Sequence, residues 1–474
     1  MTQDNRPEPT VVVVGGGLAG LTAARDVLVA EPRIRVVVLD AADQVGGKLR
    51  RAAVGGHLVD VGAEAVLALR PEATALMAEL ADPTDVVTPT TTSARVWSRG
   101  ALHALPRTRV GVPFADSVVA GLLTEAEERR MRDETPAADV GDDVSVGDYV
   151  AARLGDAVVE RLVEPMLGGV YAGHARLLSL RSTMPGVWEV ASRGGSLLEP
   201  PAVLVESAAA GPRPPFAGLV GGVGRLADLL AEDVERRGGR IEVGVTVRGL
   251  ERTPTGWSVL TGPTTDPRLV EADAVVVAVP PPAAARLLTP VAPDAGAALG
   301  EVEMASVAVI TLAVPRSQVE GWDGSGFLVP PVDGRGIKAS TFNSAKWGWL
   351  AAEGGETAYV RASVGRAGET ASLQRDDADL VELAKREIAE AVGAAPLTVV
   401  DSHVQRWGGG LPQYTVGHHA RVARVARALT AVPGLEVAGA AYQGIGIPAV
   451  IASAHAAAEA TTTHLRAVRR HAGE

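Results

Sequence analysis

Three glycines near the N-terminus constrain this chain more than any other feature. Gly15-x-Gly17-x-x-Gly20 lies between the apolar, β-branched run Thr10–Val14 and the helix-prone segment Leu18–Ala30. A short continuous apolar run of this kind suits a strand buried on both faces. In that setting the first glycine permits a tight turn, and the second lets backbone approach a pyrophosphate. The third allows the helix to pack closely on the strand. The helix N-terminus then offers unpaired N–H groups and a positive dipole end to phosphate. Arg35–Leu39 reads as the next strand, and Asp40 at its tip can accept both hydroxyls of a ribose. No arginine directly follows Asp40 to hold a 2′-phosphate, which disfavours NADP.

Further glycines separate FAD from NAD. Gly46, Gly47 and Lys48 follow the acid, and the turn Asp60-Val-Gly62-Ala63-Glu64 offers backbone to a flavin ring and its ribityl chain. Near the C-terminus, Ala438-Gly439 and Gly444-Ile445-Gly446-Ile447-Pro448 precede a small-residue helix, whose N-terminal amides suit the same cofactor. The competing reading is ordinary packing glycine between helix and strand. The residues assigned to FAD are Gly15, Gly17, Leu18, Ala19, Gly20, Asp40, Gly47, Lys48, Gly62, Ala63, Glu64 and Ala65. From the rest of the chain they are Val247, Trp407, Gly439, Ile445, Gly446 and Ile447.

The 474 residues have room for more than one core, and 47% hydrophobic with 21% charged residues is the balance of a folded chain. A net charge of −11 argues against a broad nucleic-acid surface. Cysteine is absent, which excludes disulfides, iron–sulfur clusters, thiolate zinc sites and a cysteinyl-linked flavin. The histidines show no metal-ligand spacing, and no metal is expected. The start of the chain lacks the basic and long apolar stretches of a signal peptide. The stretch from Val437 to Thr461 is too interrupted by glycine and proline to span a membrane, and reads as strand, glycine loop and helix. A cytoplasmic location is the expectation.

Along the chain, a helix carrying Leu226, Leu229, Leu230 and Val234 on one face should end at Gly238–Gly239. Strands are predicted from Ile241 to Val247, Trp257 to Leu260 and Ala274 to Val279. Residues 122–165 are charged and helix-prone, 185–220 read as loop, and 300–410 mix strands with a helix near 376–392. The fold class is α/β, with a Rossmann-type FAD-binding domain of discontinuous segments, an α+β substrate-binding domain and a helical insertion. The expected divisions are 1–95, 216–285 and 425–474 for the first, 96–112 and 286–424 for the second, and 113–215 for the insertion.

Several motifs together carry a family resemblance: GGGLAGLTAA, GGKLR after Asp40, VEPMLGGVYAGHARLLSL around Tyr171, GGVGRLADLL at 221, KWGWL at 346, LPQYTVGH at 411 and AYQGIGIP at 441. The chain resembles the protoporphyrinogen/coproporphyrinogen oxidase family, within the amine-oxidase and phytoene-desaturase group of flavoproteins. Two departures are His174, where the family usually carries an acid, and Asp40 in place of the commoner glutamate. The resemblance implies six-electron oxidation of a porphyrinogen in three two-electron steps, with dioxygen as acceptor and hydrogen peroxide as product in heme biosynthesis. It implies flavin chemistry without a catalytic triad or paired carboxylates.

Substrate recognition should rest on cations that meet propionates, for which the planar fork of arginine is well suited. Arg70 matches a cationic position of the family, Arg107 and Arg361 are further candidates, and Tyr171 and Tyr414 are candidates for the cavity lining. Resemblance to the soluble enzymes of Gram-positive bacteria favours coproporphyrinogen III as substrate over protoporphyrinogen IX. No nucleic-acid partner and no transmembrane segment are expected, while peripheral membrane contact and contact with other heme-pathway enzymes stay open. A flavin amine oxidase or carotenoid desaturase would share the fold. Only 3% of residues are aromatic, against the aromatic flavin face that amine oxidases need. A binding protein that had lost its cofactor would not need the intact Gly15, Gly17, Gly20 and Asp40 set.

Overall fold

The structure is a computed structural model that describes residues 8–136, 139–200 and 214–471. At its centre is a five-stranded parallel sheet in the order Arg240–Glu242, Arg35–Leu39, Thr10–Val14, Ala274–Val277, Leu435–Val437. Side-chain alternation along Thr10–Val14 divides the sheet between two cores. Val11 and Val13 join one buried cluster with the helices Leu18–Ala30, Arg225–Arg236 and Ile447–His471. Val12 and Val14 join another with the helices Pro281–Leu288, Pro293–Gly300 and His418–Leu429. The sheet therefore carries helices on both faces and draws its strands from the beginning, middle and end of the chain, as a discontinuous nucleotide-binding domain requires.

A seven-stranded mixed sheet forms the second unit, in the order Asp401–Pro412, Met304–Pro315, Thr357–Val364, Ile337–Thr341, Gly326–Leu328, Ala94–Ser98, Ala101–Ala104. One face is covered by the helix Asp377–Val392, through Leu380, Leu383, Ala384 and Ile388 packed on Ile310, Val360 and Ala362. Along Thr357–Val364 the opposite positions, Arg361 and Ser363, are only half-buried. The third unit is helical and holds its own core around Tyr149, Leu154, Leu162, Leu167 and Tyr171. Its helices begin on side-chain caps: Thr124 makes a capping box with Glu127, and Ser145 accepts from the Asp148 N–H. No helix among the described residues is long and apolar enough to cross a membrane.

Three expectations change. The strand from Ile241 to Val247 is two strands, Arg240–Glu242 and Val247–Thr253, in different sheets. Gly244 takes φ +71° and its N–H donates to the Ala42 carbonyl, so the intervening residues turn across the tip of the Asp40 strand. The segment 185–220 is not wholly loop. Pro185–Ser192 is a helix that starts on proline, where the missing N–H costs nothing, and Phe216–Leu219 is a strand; residues 201–213 lie outside the described residues. The strand from Ala274 stops at Val277. For the domains we propose a division that moves the helices 281–300 and 418–429 to the nucleotide-binding unit, because their apolar faces pack on its sheet.

Candidate functional site

The turn after Thr10–Val14 is built so that only glycine fits. A Cβ on Gly20 would lie 1.8 Å from the Gly15 carbonyl oxygen, so the third glycine sets the helix–strand approach. Gly15 adopts φ +109°, and a Cβ there would meet the Ala278 oxygen at 2.6 Å. Gly17 differs: a Cβ on it would find only the Gly47 Cα, at 3.9 Å. That glycine keeps space open rather than relieving a protein clash. The helix Leu18–Ala30 begins there with no side-chain cap and no acid in its first turn, and its first internal bond is Leu21 N–H to Gly17 oxygen. The amides of Leu18, Ala19 and Gly20 are thus buried helix-terminal donors without a protein acceptor among the described residues. Such a terminus fits a phosphate anion.

The Asp40 carboxylate accepts the Gly16 N–H (2.6 Å) and the Ala42 N–H (2.7 Å), one on each oxygen, leaving each a further lone pair for a ribose hydroxyl. Val245 N–H donates to the Asp40 carbonyl, which brings buried Val247 to the same end of the sheet. Gly46 bridges to Gly17, and Lys48 follows it with its ammonium in no ion pair among the described residues; burial lowers its pKa. The next layer is the turn at 62–65. The Ala63 N–H donates to the Lys48 carbonyl (3.1 Å), and a Cβ on Gly62 would sit 2.0 Å from that oxygen. The backbone runs 46–48 and 62–65 are therefore pressed together beside the Gly17 gap.

Behind the turn stands a buried charge cluster. Glu64 accepts from Lys346 Nζ (2.5 Å) and Asn343 Nδ2 (2.6 Å), with Arg361 Nη1 at 3.9 Å. Burial would raise the Glu64 pKa, but Lys346 and Arg361 hold it below the ordinary value. Arg361 also donates to the Gly62 carbonyl (2.7 Å), while the Trp407 ring packs 3.3 Å from where a Gly62 Cβ would be. Arg361 Nη1, Asn343 Oδ1 and Thr311 Oγ1 are buried without hydrogen-bond partners, and their residues line one small pocket with Glu64.

The C-terminal glycines arrive from the other side. A Cβ on Gly439 would lie 3.9 Å from the Ala19 Cβ at the start of the first helix, and the Gly439 N–H donates to Ser453 Oγ (3.1 Å). The Tyr414 hydroxyl donates to the Ala440 carbonyl (2.7 Å) and accepts from the Gly444 N–H (2.9 Å), fixing the loop that leads through Ile445 and Gly446 into the helix at Ile447. His418 stacks on the Tyr414 ring at 3.7 Å, and burial pushes its pKa down to about 4, so it is neutral at pH 7. Tyr171 packs against Tyr414 at 5.6 Å between ring centroids, and burial raises its hydroxyl pKa to about 12.

The glycines, Asp40, Lys48, the 62–65 turn, Trp407, Arg361 and the 439–447 loop are thus brought near one another through the contacts just described. Their donor set fits FAD: helix amides for pyrophosphate, a carboxylate for ribose, and glycine backbone for the ring. Tyr171 and Tyr414 stand at the junction of this group with the helical unit. Arg70 and Arg107 are not drawn in by any of these contacts. Arg70 stands at the N-cap position of the helix Pro71–Leu80 without a side-chain cap bond and pairs with Glu72 at 2.5 Å, its side chain 44% exposed. Arg107 pairs with Asp116 (3.3 Å) and lies over the Phe114 ring (5.2 Å), in a crevice of the helical unit. His174, at the family's acidic position, contacts the Ala367 carbonyl (3.0 Å) and ties the end of the helix Glu164–Tyr171 to the large sheet. Sequence reasoning missed Lys346 and Asn343 as the partners of Glu64. The one signal was rarity, since Lys346 is among only four lysines of the chain.

Comparison with known proteins gives a consistent picture. Residues 18–462 match the family described as flavin containing amine oxidoreductase. The chain is 39% identical to a coproporphyrinogen III oxidase of Mycobacterium leprae, over 94% of this chain and 97% of that protein. It is 30% identical to the coproporphyrinogen III oxidase of Bacillus subtilis, over 96% and 98%. A crystal structure from Exiguobacterium sp. 255-15, assigned provisionally to the protoporphyrinogen oxidases, superposes with TM-score 0.82 and 29% identity, covering 96% of this chain and 99% of that one. Cyclohexylamine oxidase from Brevibacterium oxydans shares the fold at TM-score 0.70 and 16% identity, over 97% and 100%.

Proposed function

The chain belongs to the flavin containing amine oxidoreductase family, and we propose that within it the protein oxidises coproporphyrinogen III to coproporphyrin III with dioxygen as acceptor. The observation that carries this reading is end-to-end identity with curated coproporphyrinogen III oxidases, 39% in the mycobacterial relative and 30% in Bacillus subtilis. A chloroplast protoporphyrinogen oxidase of Arabidopsis thaliana is more distant, at 26% over 86% of the chain. When bound, FAD supplies the hydride acceptor and the route of electrons to dioxygen, which yields hydrogen peroxide.

The protein's own part is to bind, orient and exclude. The free amides of Leu18, Ala19 and Gly20 would hold the pyrophosphate and Asp40 the ribose. Gly47, Lys48, Val247 and the 62–65 turn would flank the nucleotide and the ring, and Gly439 with Ile445, Gly446 and Ile447 would close the other side. Arg361 is held by the Gly62 carbonyl on one nitrogen, and its other, Nη1, makes no hydrogen bond and lies 3.9 Å from Glu64. It would present that cation to a propionate, a role for which a fixed guanidinium fork is suited. Tyr171, Tyr414 and Trp407 would exclude water from the face where a meso carbon approaches. Arg70 and Arg107 would act only at the mouth of the cleft, since both are substantially exposed.

Product stoichiometry tests the proposal. Purified protein turning over coproporphyrinogen III should release three molecules of peroxide per porphyrin formed, followed by porphyrin fluorescence and a peroxide assay in the same cuvette. Peroxide release from amines with no porphyrin formed would refute it.

A further inference from the structure

The cluster around Glu64 leaves a second group of buried cations unexplained. Arg366 lies five residues beyond Arg361 along the chain, just past the strand Thr357–Val364, which Gly365 ends with φ +91°. Beside it is Lys338. Lys338 occupies an irregular point of the neighbouring strand Ile337–Thr341. Ile337 pairs with Val364 and Ala339 with Ser363, so Lys338 is the extra residue of a bulge, a device that re-aims a side chain. Ile337 joins the core under the helix Asp377–Val392.

These cations are poorly satisfied from within the protein. Lys338 is 5% exposed, and among the described residues its ammonium has neither hydrogen bond nor ion pair. Arg366, also 5% exposed, donates to the Val329 carbonyl (3.1 Å) and approaches half-exposed Glu369 at 3.7 Å, while its Nε is buried without a partner. Glu164 lies across from Arg366; one oxygen accepts the Ala175 N–H (2.9 Å) and the other is buried and unpartnered. Burial raises the Glu164 pKa and, with repulsion from Arg366, lowers that of Lys338 to about 7. Buried cations that lack close hydrogen-bonding partners are costly unless an anion joins them. The helix Glu164–Tyr171 packs on this pair through buried Gly168, where a Cβ would lie 3.7 Å from Arg366 Nε, and the next residues, Gly169 and Val170, are exposed.

We propose that Lys338 and Arg366, beneath the exposed Gly169–Val170 end of the helix Glu164–Tyr171, form a subsite for a substrate carboxylate distinct from Arg361. On the porphyrinogen reading, on which this rests, the carboxylate is a propionate. Coproporphyrinogen III, with four propionates, can engage both this subsite and Arg361.

The test is Lys338→Met, which keeps the apolar stem and removes a buried charge, with Lys338→Arg as the conservative variant. In the flavin-loaded enzyme, Lys338→Met should raise the KM for coproporphyrinogen III about tenfold and weaken coproporphyrin III binding, read by fluorescence titration, by a similar factor. The kcat should change less than KM, flavin content should be normal and Tm no lower, and Lys338→Arg should recover most of the affinity. Unchanged KM and binding in Lys338→Met, with the wild type turning over coproporphyrinogen, would overturn the subsite alone. A wild type that forms no porphyrin would overturn the functional reading and the subsite with it.

Discussion

Replacing Lys346 with methionine isolates the electrostatics of the Gly62 turn. Lys346 and Glu64 are 13% and 15% exposed, so water screens the pair weakly. Breaking a buried ion pair by removing one partner costs ~3–5 kcal/mol. Here Asn343 still donates to Glu64 and Arg361 stays at 3.9 Å, so the expected loss is smaller, ~2–3 kcal/mol at pH 7. For a chain of this length that corresponds to a fall in Tm of about 2–3 °C. The pH dependence carries the sharper test. Glu64 has a folded pKa held below its ordinary value of 4.5, so it contributes stability above that pH and loses it as pH falls through the folded pKa. Without Lys346 that contribution shrinks. The gap between wild type and variant should therefore be full at pH 7 and close as the pH is lowered below 4.5. Thermal unfolding of the flavin-loaded proteins across this range is the assay. A gap of constant size, or none at pH 7, would refute the coupling assigned to Glu64 and Lys346.

Gly17→Val should abolish FAD retention while circular dichroism stays native, because the side chain enters the open gap rather than the protein; normal absorbance near ~450 nm after purification would contradict this. Tyr414→Phe removes the hydroxyl that bonds Ala440 and Gly444, a loss of ~1–3 kcal/mol, and should weaken FAD binding about tenfold or more in a titration of the apoprotein. Equal FAD affinity would show that the 439–447 loop holds its shape without it. Arg70→Ala should raise the KM for coproporphyrinogen more than for protoporphyrinogen if it meets a carboxylate found only in the former, and equal changes would remove it from that role.

What the sequence made legible was local. Gly15, Gly17, Gly20 and Asp40 sit in one strand–turn–helix–strand run, where spacing alone sets geometry, and the structure gives each a separate steric or hydrogen-bonding reason. Arg361 was named as one arginine among many, and its contact with Gly62, 299 residues away, makes it distinctive. Glu64 and Lys346 are 282 residues apart, and no periodicity links them. Lys338 was invisible for a related reason: a bulge decides which way it points, and alternation along Ile337–Thr341 cannot show a bulge. The misread strand from Ile241 failed at Gly244, where a turn over the Asp40 strand overrides β propensity. At Pro185 a proline taken for loop marks the first turn of a helix instead.

The central claim is that a flavin site of this family faces a cleft built for a porphyrinogen rich in carboxylates. Its most direct test is parallel turnover of coproporphyrinogen III and protoporphyrinogen IX by the purified, flavin-loaded protein, with kcat/KM taken from the rise of porphyrin fluorescence. Arg361 and the proposed Lys338–Arg366 subsite predict a higher value for coproporphyrinogen III, carried mainly by KM. An equal or higher value for protoporphyrinogen IX, or no fluorescence from either, would contradict it.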